Sequence, residues 1–184
     1  MNIPDILSGS RVRLDAVRRE DLETIARWWD DGAAQRRFDA IPAMPRHAGQ
    51  IEDWVTRTTE VGTDYRFAIR TLPDETLTGV AQIDGILWNQ RVGWVSLLIG
   101  EAEARGKGLG HEAMQIALRF GFHELNLHRL QLTVFDYNTP AIALYERVGF
   151  RHEGTFREFL ARDGRRYDML LYGLLRPEWE AQHG

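Results

Sequence analysis

The chain has 184 residues, 43% of them apolar and 27% charged, which fits one globular domain over residues 1–184 with a sizeable core. A net charge of −4 gives no footing for general nucleic-acid or membrane binding. There is no cysteine, which excludes disulfides, a thiolate nucleophile and a Cys-ligated metal. No stretch approaches the roughly 18 apolar residues of a membrane span, so a cytoplasmic protein is the expectation.

Residues 10–14 alternate Arg11, Val12, Arg13 and Leu14 and predict a short strand. Glu20 and Asp21 open a helix through about residue 30, with Leu22, Ile25, Ala26 and Trp29 on one face. Gly32 is read as its end. Residues 35–45 are read as irregular, with Phe38 and Met44 exposed, and residues 47–58 as a second helix. Trp28, Trp29, Phe38 and Trp54 are read first as core, and second as walls of a substrate pocket.

Strands follow at residues 65–70, 77–87 and 92–99, joined by short turns at Pro73-Asp74 and Asn89-Gln90. Such links predict an antiparallel meander. The period then changes to helical at residues 110–125, with Ala113, Met114, Ile116, Ala117 and Phe120 at core spacing, before a strand at 127–135. Strand, helix and strand make a unit with a parallel pair. Thr139-Pro140 predicts a helix start with Thr as N-cap, and Gly149 its stop. Strands at 150–161 and 165–175 flank Asp163-Gly164, a hairpin signal. The expected fold is α+β: a mixed, mostly antiparallel sheet of six or seven strands, a central parallel pair and about four helices.

The chemistry concentrates in the turn Arg105, Gly106, Lys107, Gly108, Leu109, Gly110, His111. Alternate glycines let the backbone approach another group closely, and a helix starting there aims unpaired N–H groups and its positive dipole end into the turn. That is an anion site, with phosphate the commonest occupant. A P-loop would need Ser or Thr after Gly106-Lys107, and a dinucleotide fingerprint would need GxGxxG; neither is present. Asn138 and Tyr145 lie two helical turns apart and share one side of their helix. If the parallel strands pair, the glycine turn and the Asn138 helix start flank one crevice.

Ile99-Gly100-Glu101, the RGKGLG turn, Asn138 with Ala141-Ile142 and Leu144-Tyr145, Val148-Gly149-Phe150, Glu153-Gly154, Asp163-Gly164 and Tyr167-Asp168 together resemble the GCN5-related N-acetyltransferase (GNAT) family. The likeness is to the branch of ribosomal-protein N-acetyltransferases and spermidine acetyltransferases, over about residues 11–179. The resemblance implies acetyl-CoA as co-substrate, its pyrophosphate on residues 105–111 and its pantetheine arm along Leu97, Leu98 and Ile99, where a backbone N–H also stabilises an oxyanion. It implies Asn138 as a contact to the cofactor arm and Tyr145 as general acid to the leaving thiolate, or a phenol that only binds the sulfur. Transfer is direct, from thioester to a primary amine on a protein N-terminus, polyamine, amino acid or other small amine.

For the acceptor the sequence offers Trp28, Phe38, Asp84 and Trp94, with Asp30 and Asp31 as further attractors of a cation. Asp84 and Glu153 are the carboxylates considered as base. Relatives often carry Glu where this chain has Trp94, so no role is imported there. The six histidines form no ligand pattern, and no metal is expected. The arginines of the 157–166 hairpin read as a solvated face. Homodimerisation is common among similar proteins and is carried as an expectation. The rival functions are a non-catalytic acyl-CoA-binding regulatory module and a nucleotide-binding protein.

Overall fold

The structure is a computed structural model and describes residues 5–56 and 62–183. Its frame is one seven-stranded mixed sheet: β1 (Val12–Asp15), β2 (Tyr65–Thr71), β3 (Leu77–Leu87), β4 (Val92–Ile99), β5 (Arg129–Phe135), β6 (Arg151–Arg162) and β7 (Arg165–Leu175). The spatial order is β1-β2-β3-β4-β5-β7-β6. All neighbours are antiparallel except β4 and β5. The helices are α1 (Leu22–Trp28), α2 (Gly32–Phe38), α3 (Ala48–Thr56), α4 (Leu109–Arg119), α5 (Thr139–Val148) and α6 (Arg176–His183). Among the described residues none is long and apolar enough to cross a membrane.

The sheet separates two apolar layers. On one face α4 buries Ala113, Met114, Ile116, Ala117 and Leu118 against Ile83, Val95, Leu130, Leu132 and Val134. On the other, Leu22, Ile25, Trp28, Trp29 and Ile51 pack on Ala68, Leu77 and Val80. Alternation along β4 serves both: Val95, Leu97 and Ile99 turn toward the α4 layer, and Leu98 toward the α1 layer. A buried guanidinium ties the second layer to the sheet edge. Arg70, 4% exposed, donates to Asp21 at 2.6 Å and to Asp15 at 3.0 Å.

Among the described residues six α-helices stand where about four were expected, and the differences have local causes. The first helix stops at Trp28, and Gly32 begins α2 rather than ending α1. Asp31 caps it, its carboxylate accepting the Ala34 N–H at 3.0 Å, as an aspartate before a helix commonly does. Part of the stretch read as irregular is therefore helical, and Phe38 is half-buried with its ring edge-on to Trp29. Met44 is exposed, as expected. The expected helix end at residues 57–58 lies outside the described residues. After α4 the chain widens into a π-turn, Phe120–Glu124, and the polar tail coils into α6. Asn138, not Thr139, is the N-cap of α5, with Pro140 in its first turn.

Candidate active site between β4 and β5

The parallel pairing is short. It joins Val92 to Arg129, Gly93 to Leu130 and Trp94 to Gln131, and no further. Beyond Trp94, β4 stays bonded to β3 as far as Ile99, while β5 stays bonded to β7 as far as Phe135. The two strands therefore part like a wedge. The β4 edge from Val95 to Ile99 faces a cleft of about 390 Å³ in place of a neighbouring strand. A strand edge with unpaired N–H and C=O groups is a template for an extended, amide-bearing ligand.

The glycine turn closes one side of the wedge. Gly106, Gly108, Gly110 and His111 line it, together with Arg105. Gly108 is the N-cap of α4 and sits at φ 80°, a left-handed backbone that glycine adopts at no steric cost. No side chain caps this helix start, so its first N–H groups and dipole are left for an anion. Arg11 braces the outside of the turn, donating to the carbonyls of Lys107 at 3.0 Å and Gly108 at 3.2 Å while pairing with Glu112 at 2.9 Å. Lys107 and Leu109 do not line the cleft.

Helix α5 closes the other side with Asn138, Pro140, Ala141, Leu144 and Tyr145. Tyr145 is 8% exposed, its ring edge-on to Phe150. Burial pushes its phenol up to about 12, so it is protonated throughout the ordinary working range. The Asn138 side chain is directed away from a capping role and donates to the Arg37 carbonyl at 3.2 Å.

The wall opposite is α2, where Ala34, Arg37 and Phe38 share one face and line the cleft. The sequence reading named Phe38 but not Ala34 or Arg37, because it missed the helix that sets the three on one face. It also passed over Ser96 on β4, Thr133 on β5 and Arg147, two residues beyond Tyr145, all of which line the cleft. Arg37 and Arg147 form no ion pair with another described residue.

Of the acceptor residues considered from sequence, only Phe38 borders the cleft. Trp28 is 5% exposed and lies flat against Gly100, its indole N–H donating to Glu101 at 2.9 Å; it borders only a narrow crevice behind α2. Asp84 and Trp94 face each other across the β3–β4 register, toward the closed end of the wedge and outside the cleft. The Gln82 amide donates to Asp84 at 2.6 Å, and burial pushes that carboxyl up, with Asp64 adding to the rise. Glu153 pairs with Arg129, which holds its carboxyl below the usual range, away from the cleft. Asp31 is engaged at the start of α2 and by Arg105, and does not line the cleft.

Comparison with known proteins identifies the family. A family model described as "Acetyltransferase (GNAT) domain" matches residues 11–151. The SPbeta prophage-derived N-acetyltransferase YokL of Bacillus subtilis (strain 168) is 30% identical over 178 residues, 96% of this chain and 97% of that protein. The spermidine N(1)-acetyltransferase of Escherichia coli (strain K12) is 24% identical over 176 residues, covering 96% of this chain and 92% of its own. Among solved structures, the spermidine N-acetyltransferase of Vibrio cholerae in complex with CoA and spermine superposes with a TM-score of 0.83 at 25% identity, covering 94% of this chain and 99% of that one. The chain belongs to the GNAT family and is an acetyl-CoA-dependent N-acetyltransferase.

Proposed function

We propose that acetyl-CoA lies in the β4–β5 wedge, with its pyrophosphate on the glycine turn, its pantetheine arm along Leu97, Leu98 and Ile99, and its thioester beside Tyr145. The observation that carries this reading is the parting of the strands after Trp94 and Gln131. It leaves a free β4 edge pointing from the uncapped start of α4 toward the buried phenol. The residues fit the molecule: the turn supplies anion-binding N–H groups, the strand edge supplies amide partners, and Arg147 and Arg37 supply unpaired positive charge.

The chemistry needs three things from the chain. The acceptor amine must reach the thioester carbonyl without competing water. A backbone N–H on β4 must face the carbonyl oxygen as it gains charge. The leaving sulfur must be stabilised as the C–S bond breaks and a proton is delivered to it. Ser96, His111 and Thr133 also line the cleft, but Tyr145, on the α5 face that meets it, is the residue assigned to the last task. Burial keeps the Tyr145 phenol protonated, so it carries a hydrogen to present to the sulfur. Tyr145 therefore acts chiefly as a hydrogen-bond donor to the sulfur, and the proton released by the amine ends on the thiol. Tyr145→Phe should lower turnover about 100-fold while the CoA dissociation constant stays within about twofold. Unchanged turnover in that variant would remove Tyr145 from the mechanism.

The acceptor is a primary amine. Every charged side chain that lines the cleft is an arginine: Arg37, Arg105 and Arg147. Among the described residues no carboxylate does so. The lack of a lining carboxylate favours an acceptor with one amine, such as a peptide N-terminus or an amino acid, over a polycation. The likeness to polyamine acetyltransferases supports the second reading, spermidine. CoA release measured across N-terminal peptides, amino acids and spermidine decides between them: spermidine as the best acceptor by kcat/KM would overturn the first reading.

A further inference from the structure

Helix α2 is fastened at both ends to different arms of the wedge. At its start, Asp31 accepts the Ala34 N–H with one carboxylate oxygen and the Arg105 guanidinium, at 3.0 Å, with the other. The same guanidinium donates to the carbonyls of Ile99 at 3.0 Å and Gly100 at 2.7 Å, the last residues of the β4 arm. At the helix end, the carbonyls left without intrahelical partners are taken by the β5 arm. The Tyr137 hydroxyl donates to Arg36, the Asn138 amide to Arg37, and Arg162 from the end of β6 to Asp39 at 2.5 Å. Between these fastenings, Ala34, Arg37 and Phe38 present the cleft wall.

Arg105 is also the residue that immediately precedes the glycine turn. All of its side-chain hydrogen bonds go to the strand end and to the α2 cap, so it is committed as a tie. We infer that Asp31 and Arg105 are positioning residues that couple the phosphate-binding turn to the acceptor wall, so that filling the turn stiffens α2. This rests on the reading that acetyl-CoA occupies the wedge. An anion on the N–H groups of residues 106–110 restrains the turn. The restraint passes through Arg105 to the cap of α2, so the wall is held more firmly once the turn is filled.

Free CoA is the probe, since it fills the turn and needs no acceptor. Hydrogen exchange of the α2 amides, residues 33–38, should slow about tenfold in the wild type on adding saturating CoA. Asp31→Asn keeps the cap, because the amide oxygen still accepts from Ala34, but loses the charged tie. In that variant the CoA-linked slowing should fall below about threefold, while the CoA dissociation constant by calorimetry moves less than about twofold. Tyr137→Phe cuts the other end and keeps the ring. It should quicken exchange of α2 in the free protein yet preserve the tenfold CoA-linked slowing. Equal slowing in wild type and Asp31→Asn, or loss of slowing in Tyr137→Phe to the same degree, would overturn the coupling through Arg105. So would CoA binding that leaves α2 unprotected. Failure of CoA to bind the wild type at all would instead overturn the placement of the co-substrate.

Discussion

The two sides of the wedge are built from different materials. On the proposed reading one is the donor side and the other the acceptor side; the donor side, from β4 through the glycine turn and α4 to β5, presents mostly main chain: a free strand edge, a left-handed Gly108 and the uncapped N–H groups of α4. The acceptor side, α1 to α3, is held by side chains: the Arg70–Asp21 pair, the Trp28–Glu101 bond and the Arg105–Asp31 tie. A main-chain site depends on a few positions where a side chain cannot be accommodated and is indifferent to most others. A wall hung on side-chain bonds can be re-hung by single substitutions. One fold can thus keep one acetyl donor and change its amine.

That contrast can be broken most severely at Asp21. Replacing it by Asn leaves the buried Arg70 with Asp15 as its remaining charged partner and should cost about 3 kcal/mol in urea denaturation. The loss falls on the acceptor side, so the CoA dissociation constant at native pH should stay within about twofold. Next comes Gly100→Ala, at the seam between the sides. A Cβ there would lie 1.9 Å from the Trp28 ring, and the expected cost is about 2 kcal/mol with the amine KM rising. Gly108→Ala probes the donor side alone. Its φ of 80° costs a side chain about 1 kcal/mol, and the nearest atoms, on Arg11, stand 3.3 Å off. CoA binding should weaken several-fold while the amine KM holds.

The smallest effect is one of sign. The Ala34 N–H and the Arg105 guanidinium hold the Asp31 carboxyl below the usual range, whereas burial raises that of Asp84. Asp31 thus contributes stability that is present above the unfolded value of about 3.9 and lost as pH falls through its lower folded value. Asp84 does the reverse: its charge is a cost at neutral pH, relieved as pH falls through its raised folded value. Denaturation at pH 7 should find Asp31→Asn less stable and Asp84→Asn slightly more stable than wild type. Matching signs would show that the two carboxyls are not held in opposite ways.

The donor side was largely legible in the sequence for the same reason that it is main chain. Glycines at 106, 108 and 110, the strand–helix–strand period and the Asn138–Tyr145 spacing are local signals, and all but the identity of the N-cap stand in the structure. The acceptor side was not. Helix α2 is a single short run between two turns, too brief for an apolar period to declare itself, and its one clear signal was Asp31 before Gly32. Its fastenings join positions far apart: Asp31 meets Arg105 across 74 residues and Arg37 meets Asn138 across 101. No pattern within a window carries such a pair. Asp84 and Trp94 stand outside the cleft for different reasons: Trp94 is on the strand that lines it but level with the last parallel pair, where the wedge is shut, and Asp84 is on β3, one strand further back.

The contact between Gly100 and Trp28 has a consequence for how the family can diverge. The indole fills the volume that any side chain at position 100 would need, so the two positions share one fixed allotment of space. Lineages that enlarge residue 100 must first shrink residue 28, and in doing so they give up the bond to Glu101. Aligned sequences should then show the two sites trading bulk, with intermediates that carry both large residues missing. The seam between donor and acceptor sides would act as a ratchet on descent, passable in one order of substitutions and closed in the other.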